Sequence, residues 1–248
     1  MSKIKKWLVP VCSNLMIVGM LVVLSVFTLV SPSKSVGAPQ FENLYYNGNV
    51  NEKQVSLMVN VYWGNEYLED MLETFKENDI KTTFFVGGSW AVKYPELLMK
   101  IYKDGHEIGN HGFNHKDHDK LSYAQNQTEI HSAHKVVKEY TGLDMKLFAP
   151  PSGAFSNTTI EVAKNLGYDT IMWSKDTIDW RDQNKDLIFK RATTKIKNGD
   201  LILMHPTAST ALALEDIIKS LNSQGFKIVS VSQNIYNNID WFFLNELV

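Results

Sequence analysis

Gly105-His106-Glu107-Ile108-Gly109-Asn110-His111-Gly112-Phe113-Asn114-His115 reads as a short strand over 106–110 that runs into a turn carrying two histidines four residues apart. On a single helical turn that spacing points both imidazoles the same way, which is how a nitrogen pair reaches one metal ion. The same pattern also fits two polar loop residues, since the chain holds seven histidines. The surrounding sequence bears on which reading holds.

Upstream, residues 55–61 form an apolar run of strand length. Leu68, Met71, Leu72 and Phe75 then repeat at helical spacing over 66–78, with Asn60 or Asn65 leading into the helix. Residues 81–86 read as the next strand and 90–104 as a helix closed by Gly105. Downstream, a long polar helix spans 123–140 and stops at Gly142. Short apolar strands follow at 145–149, 169–173, 201–204 and 227–230, separated by helices near 158–166, 187–196 and 211–224. Such alternation predicts parallel strands covered by helices, either a barrel or an open doubly wound sheet. In both, chemistry gathers at the carboxyl ends of the strands. The polar or turn-forming groups at those ends are Asn60 with Glu66, His111 with His115, Pro150-Pro151-Ser152-Gly153, Asp176 with Asp179-Trp180, and His205.

The chain has 248 residues, enough for one barrel, and a formal net charge of −2. Neither that charge nor any basic run beyond the N-terminus supports nucleic-acid binding. The single cysteine, Cys12, leaves the rest of the chain without an internal disulfide. Lys3, Lys5 and Lys6 precede an uncharged, largely apolar run over 7–30 that is long enough to span a bilayer. Val36-Gly37-Ala38 is a possible cleavage site, with Pro39 against it, so an uncleaved anchor and a cleaved signal both stay open. Either way, the positive-inside rule puts residues 39–248 outside the cytoplasm, membrane-anchored or secreted. The chain divides into an N-terminal segment and linker at 1–38, a lead-in at 39–51, a catalytic-type domain at 52–236 and a tail at 237–248.

The motifs Trp63-Gly64-Asn65-Glu66-Tyr67, Thr82-Thr83-Phe84-Phe85-Val86, Gly105 to His111 with His115, Ala149-Pro150-Pro151-Ser152-Gly153, Asp176-Thr177-Ile178-Asp179-Trp180 and Leu203-Met204-His205 occur in this order. Together they resemble the polysaccharide deacetylase family (NodB-homology domain, carbohydrate esterase family 4), and its sporulation-associated branch in particular. The resemblance implies a distorted (β/α)7 TIM-like barrel, an α/β fold. It also implies metal-dependent hydrolysis of N-acetyl groups on peptidoglycan or chitin-like cell-wall glycan, with zinc or another divalent metal as cofactor. Carried over by position, His111 and His115 match the metal ligands. His205 matches the general acid, Asp179 the carboxylate that orients it, and the Ser152 backbone N–H the oxyanion donor. Trp180 and Leu203 match the walls of the acetyl-methyl pocket, and Trp63 and Pro151 join them as substrate contacts.

Two of the family's charged positions depart from this pattern, and a third departs with them. Where the first motif reads Thr-Phe-Asp-Asp-Gly, this chain has Met58-Val59-Asn60-Val61-Tyr62. Asn60 holds the general-base position, and an amide does not take up a proton at physiological pH. Val61 holds the position of the aspartate ligand, and Ala149 that of the arginine that pairs with the base. Glu66 is the available replacement for the ligand or the base, its plainer role being a first-turn glutamate favoured by the helix dipole. No H-E-x-x-H, G-x-S-x-G or P-loop signature occurs, which argues against a zincin, an α/β-hydrolase or an NTPase. The resemblance therefore implies an N-deacetylase-like protein with a degenerate base. The alternative is a pseudoenzyme that binds glycan or an envelope partner.

Overall fold

The computed structural model describes residues 41–236; the apolar N-terminal run, Cys12, the linker and the tail at 237–248 lie outside them. Strand β1 is Leu44–Tyr45, and β2 (Gln54–Val61) lies deeper in the fold. Val55, Leu57, Val59 and Val61 of β2 join the large apolar cluster that includes the covering helices, while Met58 joins a smaller inner cluster. Burial on both faces is what a parallel strand under helices undergoes, and it explains the unbroken apolar run. Strand β2 pairs in parallel with β3 (Thr83–Val86) and β8 (Leu201–Met204).

Around it the order is β1-β6-β5-β4-β3-β2-β8-β7, with β4 at Glu107–Asn110, β5 at Leu147–Phe148, β6 at Asp169–Ile171 and β7 at Lys175–Asp176. Strand β9 (Lys227–Ile228) adds to β2, and every pairing between named strands is parallel. The eight ordered strands form a curled parallel half-barrel, in keeping with the barrel expected.

Helix α1 (Asn65–Glu77) buries Leu68, Met71, Leu72 and Phe75, the spacing read from the sequence. Its cap is neither Asn60 nor Asn65 but Gly64, at φ 80. A Cβ there would come within 1.9 Å of the Pro206 carbonyl oxygen, so the position needs glycine for both space and backbone conformation. The single helix expected over 90–104 is two helices, α2 (Gly88–Lys93) and α3 (Pro95–Lys103). Pro95 supplies no N–H to a continuing helix, and it restricts Tyr94, which stands at φ −130 and ψ 58. Helix α4 (Tyr123–Thr141) starts at a Ser122/Gln125 capping box and ends at Gly142, φ 77. Helices α5 (Asn157–Asn165), α6 (Lys185–Thr193) and α7 (Ala208–Ser223) stand close to their expected places, and α8 (Val231–Ile235) follows β9.

Candidate active site

The turn after β4 is not helical. Gly112 has φ 70 and His115 φ 53, so the chain doubles back instead of coiling. The two imidazoles meet nonetheless, with ring centroids 5.1 Å apart at 70°. Glu129 of α4, 3% exposed, holds this turn: its carboxylate accepts the N–H groups of Phe113 (3.1 Å) and Asn114 (2.7 Å) and pairs with Lys116 at 2.9 Å. Burial works against that charge, but the Asn114 N–H groups and Lys116 outweigh it and lower its pKa.

His111 is buried, and its Nδ1 lies 2.7 Å from the Ala149 carbonyl oxygen. A carbonyl only accepts, so the proton sits on Nδ1 and Nε2 keeps its lone pair. Burial, and after it the neighbouring His115, holds the His111 pKa well below the usual range, and burial lowers that of His115. Both rings are neutral at physiological pH.

His205 leaves β8 opposite them. Asp179, fully buried, lies 2.8 Å from His205 Nδ1 through Oδ1 and accepts the His205 backbone N–H at 2.6 Å through Oδ2. It also accepts the Trp180 N–H at 2.9 Å and the Thr210 hydroxyl at 2.6 Å. Trp63 lies parallel to the His205 ring, with centroids 5.7 Å apart and 5° between planes. Arg191 of α6 pins the loop carrying Asp179: it donates to the Thr177 carbonyl at 2.8 Å and to Asp182 at 2.6 Å.

These elements close around a cavity of about 380 Å³. Its walls include Asn60, Trp63, His111, His115, Ser152, Asp176, Trp180, Leu203 and His205, all named above, together with Trp173. Three non-glycine residues around it, His115, Ser152 and Ile178, stand at φ between 53 and 57. For β-branched Ile178 this is strained, a conformation that persists only where its surroundings over-determine it; the Asp176 carboxylate accepts its N–H at 2.7 Å.

Two of the residues named above stand off this wall. Glu66 is exposed on the first turn of α1 and does not line the cavity, because the chain turns at Gly64 and the helix starts beyond the rim. Pro151 is buried and off the wall; its ring packs on the 111–112 turn, with Cγ 3.5 Å from where a Cβ on Gly112 would stand. Val61 faces the helix-side core, and Ala149 packs in the inner apolar cluster with Met58, Phe85 and Leu203. Among the described residues, no three His, Cys, Asp or Glu side chains come together to hold a metal ion. Away from the cavity, His134 is bonded to the Tyr168 hydroxyl at 2.5 Å and to Asp144 at 3.2 Å.

Deacetylases of this family are generally metal-dependent. His111 and His115 make two nitrogen ligands, and among the described residues no third His, Cys, Asp or Glu side chain joins them, whereas catalytic zinc is ordinarily held by three protein ligands. Sequence reasoning missed Glu129, Thr210 and Arg191. Only the fold brings them to the site, and a polar residue inside a helix carries no local sign of such a role.

The sequence pattern of the polysaccharide deacetylase family matches residues 47–171. The chain belongs to the polysaccharide deacetylase family. It is 32% identical over 197 residues to the peptidoglycan-N-acetylmuramic acid deacetylase PdaA of Bacillus subtilis, covering 77% of this chain and 75% of that one. It is 39% identical over 208 residues to the uncharacterized protein YlxY of the same organism, covering 84% of this chain but 65% of YlxY. A CE4 family pseudoenzyme from Bacillus anthracis superposes with a TM-score of 0.76 at 35% identity, over 79% of this chain and 69% of that one. A mutant of that protein has restored enzymatic activity. The chain thus belongs to a family of hydrolases whose solved structures include a pseudoenzyme.

Proposed function

We propose that this protein binds cell-wall polysaccharide in the cavity between the His111–His115 turn and His205 without hydrolysing it. The observation that carries this is Asn60. An amide that takes up no proton stands on the cavity wall where the family places its base. The strained rim, the aromatic walls and the held histidines keep the shape of a glycan site. Trp63 and Trp180 are 42% and 53% exposed, which suits stacking on a sugar ring better than core packing.

The fully paired Asp179–His205 dyad supports a second reading, residual metal-dependent deacetylation with a divalent ion such as zinc on His111 and His115. That chemistry needs a base where Asn60 stands and a third ligand beside His111 and His115, and among the described residues no three His, Cys, Asp or Glu side chains come together. The peptidoglycan deacetylases among the relatives support cell-wall glycan as the ligand. The N-terminal lysines and apolar run support a location outside the cytoplasm, anchored to the membrane or secreted. The resemblance to the sporulation branch points to the spore-forming envelope.

The test is co-sedimentation of the full chain with purified peptidoglycan. Wild type is expected in the pellet and Trp180→Ala largely in the supernatant, with no acetate released by either. Equal partition of the two proteins sinks the cavity as the binding site. Acetate release by wild type revives the hydrolase.

A further inference from the structure

A second cavity, of about 1000 Å³, lies at the opposite end of the sheet, where β4, β5 and β6 begin. That volume is at the upper end of those that hold a drug-sized ligand. Tyr102, Ile108, Leu143, Met145 and Leu147 give its wall an apolar surface. The carboxylates on the wall are engaged. Asp169 accepts the Tyr236 hydroxyl, Asp144 pairs with Lys138 at 2.6 Å, and Glu107 accepts the Thr83 hydroxyl at 2.6 Å and the Ser232 N–H at 3.2 Å. Among the described residues of the wall, Lys146 is the cation, and it is exposed.

The chain passes out of the described residues at this cavity. Tyr236, the last of them, stands on the wall, held to Asp169 at the start of β6. Asn237-Asn238-Ile239-Asp240-Trp241-Phe242-Phe243-Leu244-Asn245-Glu246-Leu247-Val248 follows. Seven of these twelve residues are apolar, and both charged ones, Asp240 and Glu246, are negative. Left in water, such a run makes an apolar patch of the kind that folded chains bury or use for contact. Twelve residues reach at most about 40 Å. Because they start on the wall itself, their effective concentration at the cavity is on the order of millimolar. A bilayer or a second copy of the chain has no such start. We propose that residues 239–248 dock in this cavity of their own chain, with the 241–244 run against Tyr102, Leu143 and Met145, and with Asp240 or Glu246 beside Lys146. The tail then closes the amino end of the half-barrel and belongs to the domain, whatever the cavity at the opposite end binds.

The test is photo-cross-linking of the full chain in phosphatidylcholine vesicles, with p-benzoylphenylalanine at position 241. The adduct is expected within one chain, on the peptides covering 102–108 or 143–147. An adduct on lipid would give the tail to the bilayer, and an adduct between two chains would give it to a dimer. Either result overturns the proposal, as does the absence of any adduct. Hydrogen exchange of the unlabelled full chain in the same vesicles repeats the test without the probe. Amides at 143–147 are expected to exchange at least about tenfold faster in the double variant Trp241→Ser, Phe243→Ser than in wild type, the size of burying one aromatic side chain. Those at 111–115 should stay unchanged. Equal rates at 143–147 in the two proteins would overturn the docking.

Discussion

Asp179 holds His205 at two points, its ring through Oδ1 at 2.8 Å and its backbone N–H through Oδ2 at 2.6 Å. With Trp180 and Thr210 also bonded, one buried carboxylate satisfies four donors and ties the β7–α6 loop to the end of β8. This tie is structural whether or not His205 ever moves a proton.

Asp179→Ala is accordingly expected to destabilise the fold by about 3 kcal/mol, since it strands buried donors around an emptied site. Urea denaturation measures it. A loss under about 1 kcal/mol, the scale of one ordinary hydrogen bond, would show that Asp179 serves only the ring.

Trp63 covers His205 with a parallel ring and leaves its other face to solvent. Trp63→Ala is expected to weaken glycan binding about tenfold while changing stability little, because a half-exposed side chain contributes little core burial. Fluorescence titration with peptidoglycan fragments, alongside a melting curve, separates the two effects. A large drop in melting temperature with unchanged affinity would make Trp63 a packing residue.

The cavity predicts weak metal binding. Titrated with zinc, the full chain is expected to show no sub-micromolar site, and Glu66→Ala should leave the curve unchanged because that carboxylate points to solvent. One tight equivalent, lost in His111→Ala, would return the protein to the hydrolases. Weakening by Glu66→Ala would bring that residue into the site.

His106 makes stability depend on pH. Burial foremost, and Lys81 after it, lowers its pKa to about 4, while Nδ1 accepts the Thr82 N–H at 3.2 Å. The folded state thus prefers the neutral ring. Its contribution is complete above the unfolded pKa, near 6.5, and fades as pH falls towards 4, because the unfolded chain takes up the proton first. About 2 kcal/mol of stability is expected to go across that window. The loss should be smaller in His106→Gln, by chemical denaturation at pH 7.5, 5.5 and 4.5. Parallel losses in both proteins would assign the effect to other groups.

Much of this was legible from residues 55–61, 105–115 and 201–205. Strands buried on both faces announce themselves as apolar runs, and strand ends place Asn60, His111 and His205 on one rim. The two-residue strands β1 and β7 are too short for any period to register, and Pro95 splits a helix whose apolar spacing continues across the break. Glu66 stands off the cavity wall for a geometric reason. Five residues past Val61 looks close in sequence, but the left-handed turn at Gly64 carries the helix beyond the rim. Asn60 was legible as a departure from the first motif of the family. That its carbonyl is enclosed and its nitrogen open to the cavity needed coordinates.

The central claim is binding without turnover, and one calorimetric trace addresses both halves of it. Full chain titrated with N-acetylated peptidoglycan fragments, with zinc supplied, is expected to give a saturating isotherm whose baseline returns to zero after each injection. A sustained heat after each injection, matched by acetate in the cell, would contradict it and make this protein a working deacetylase.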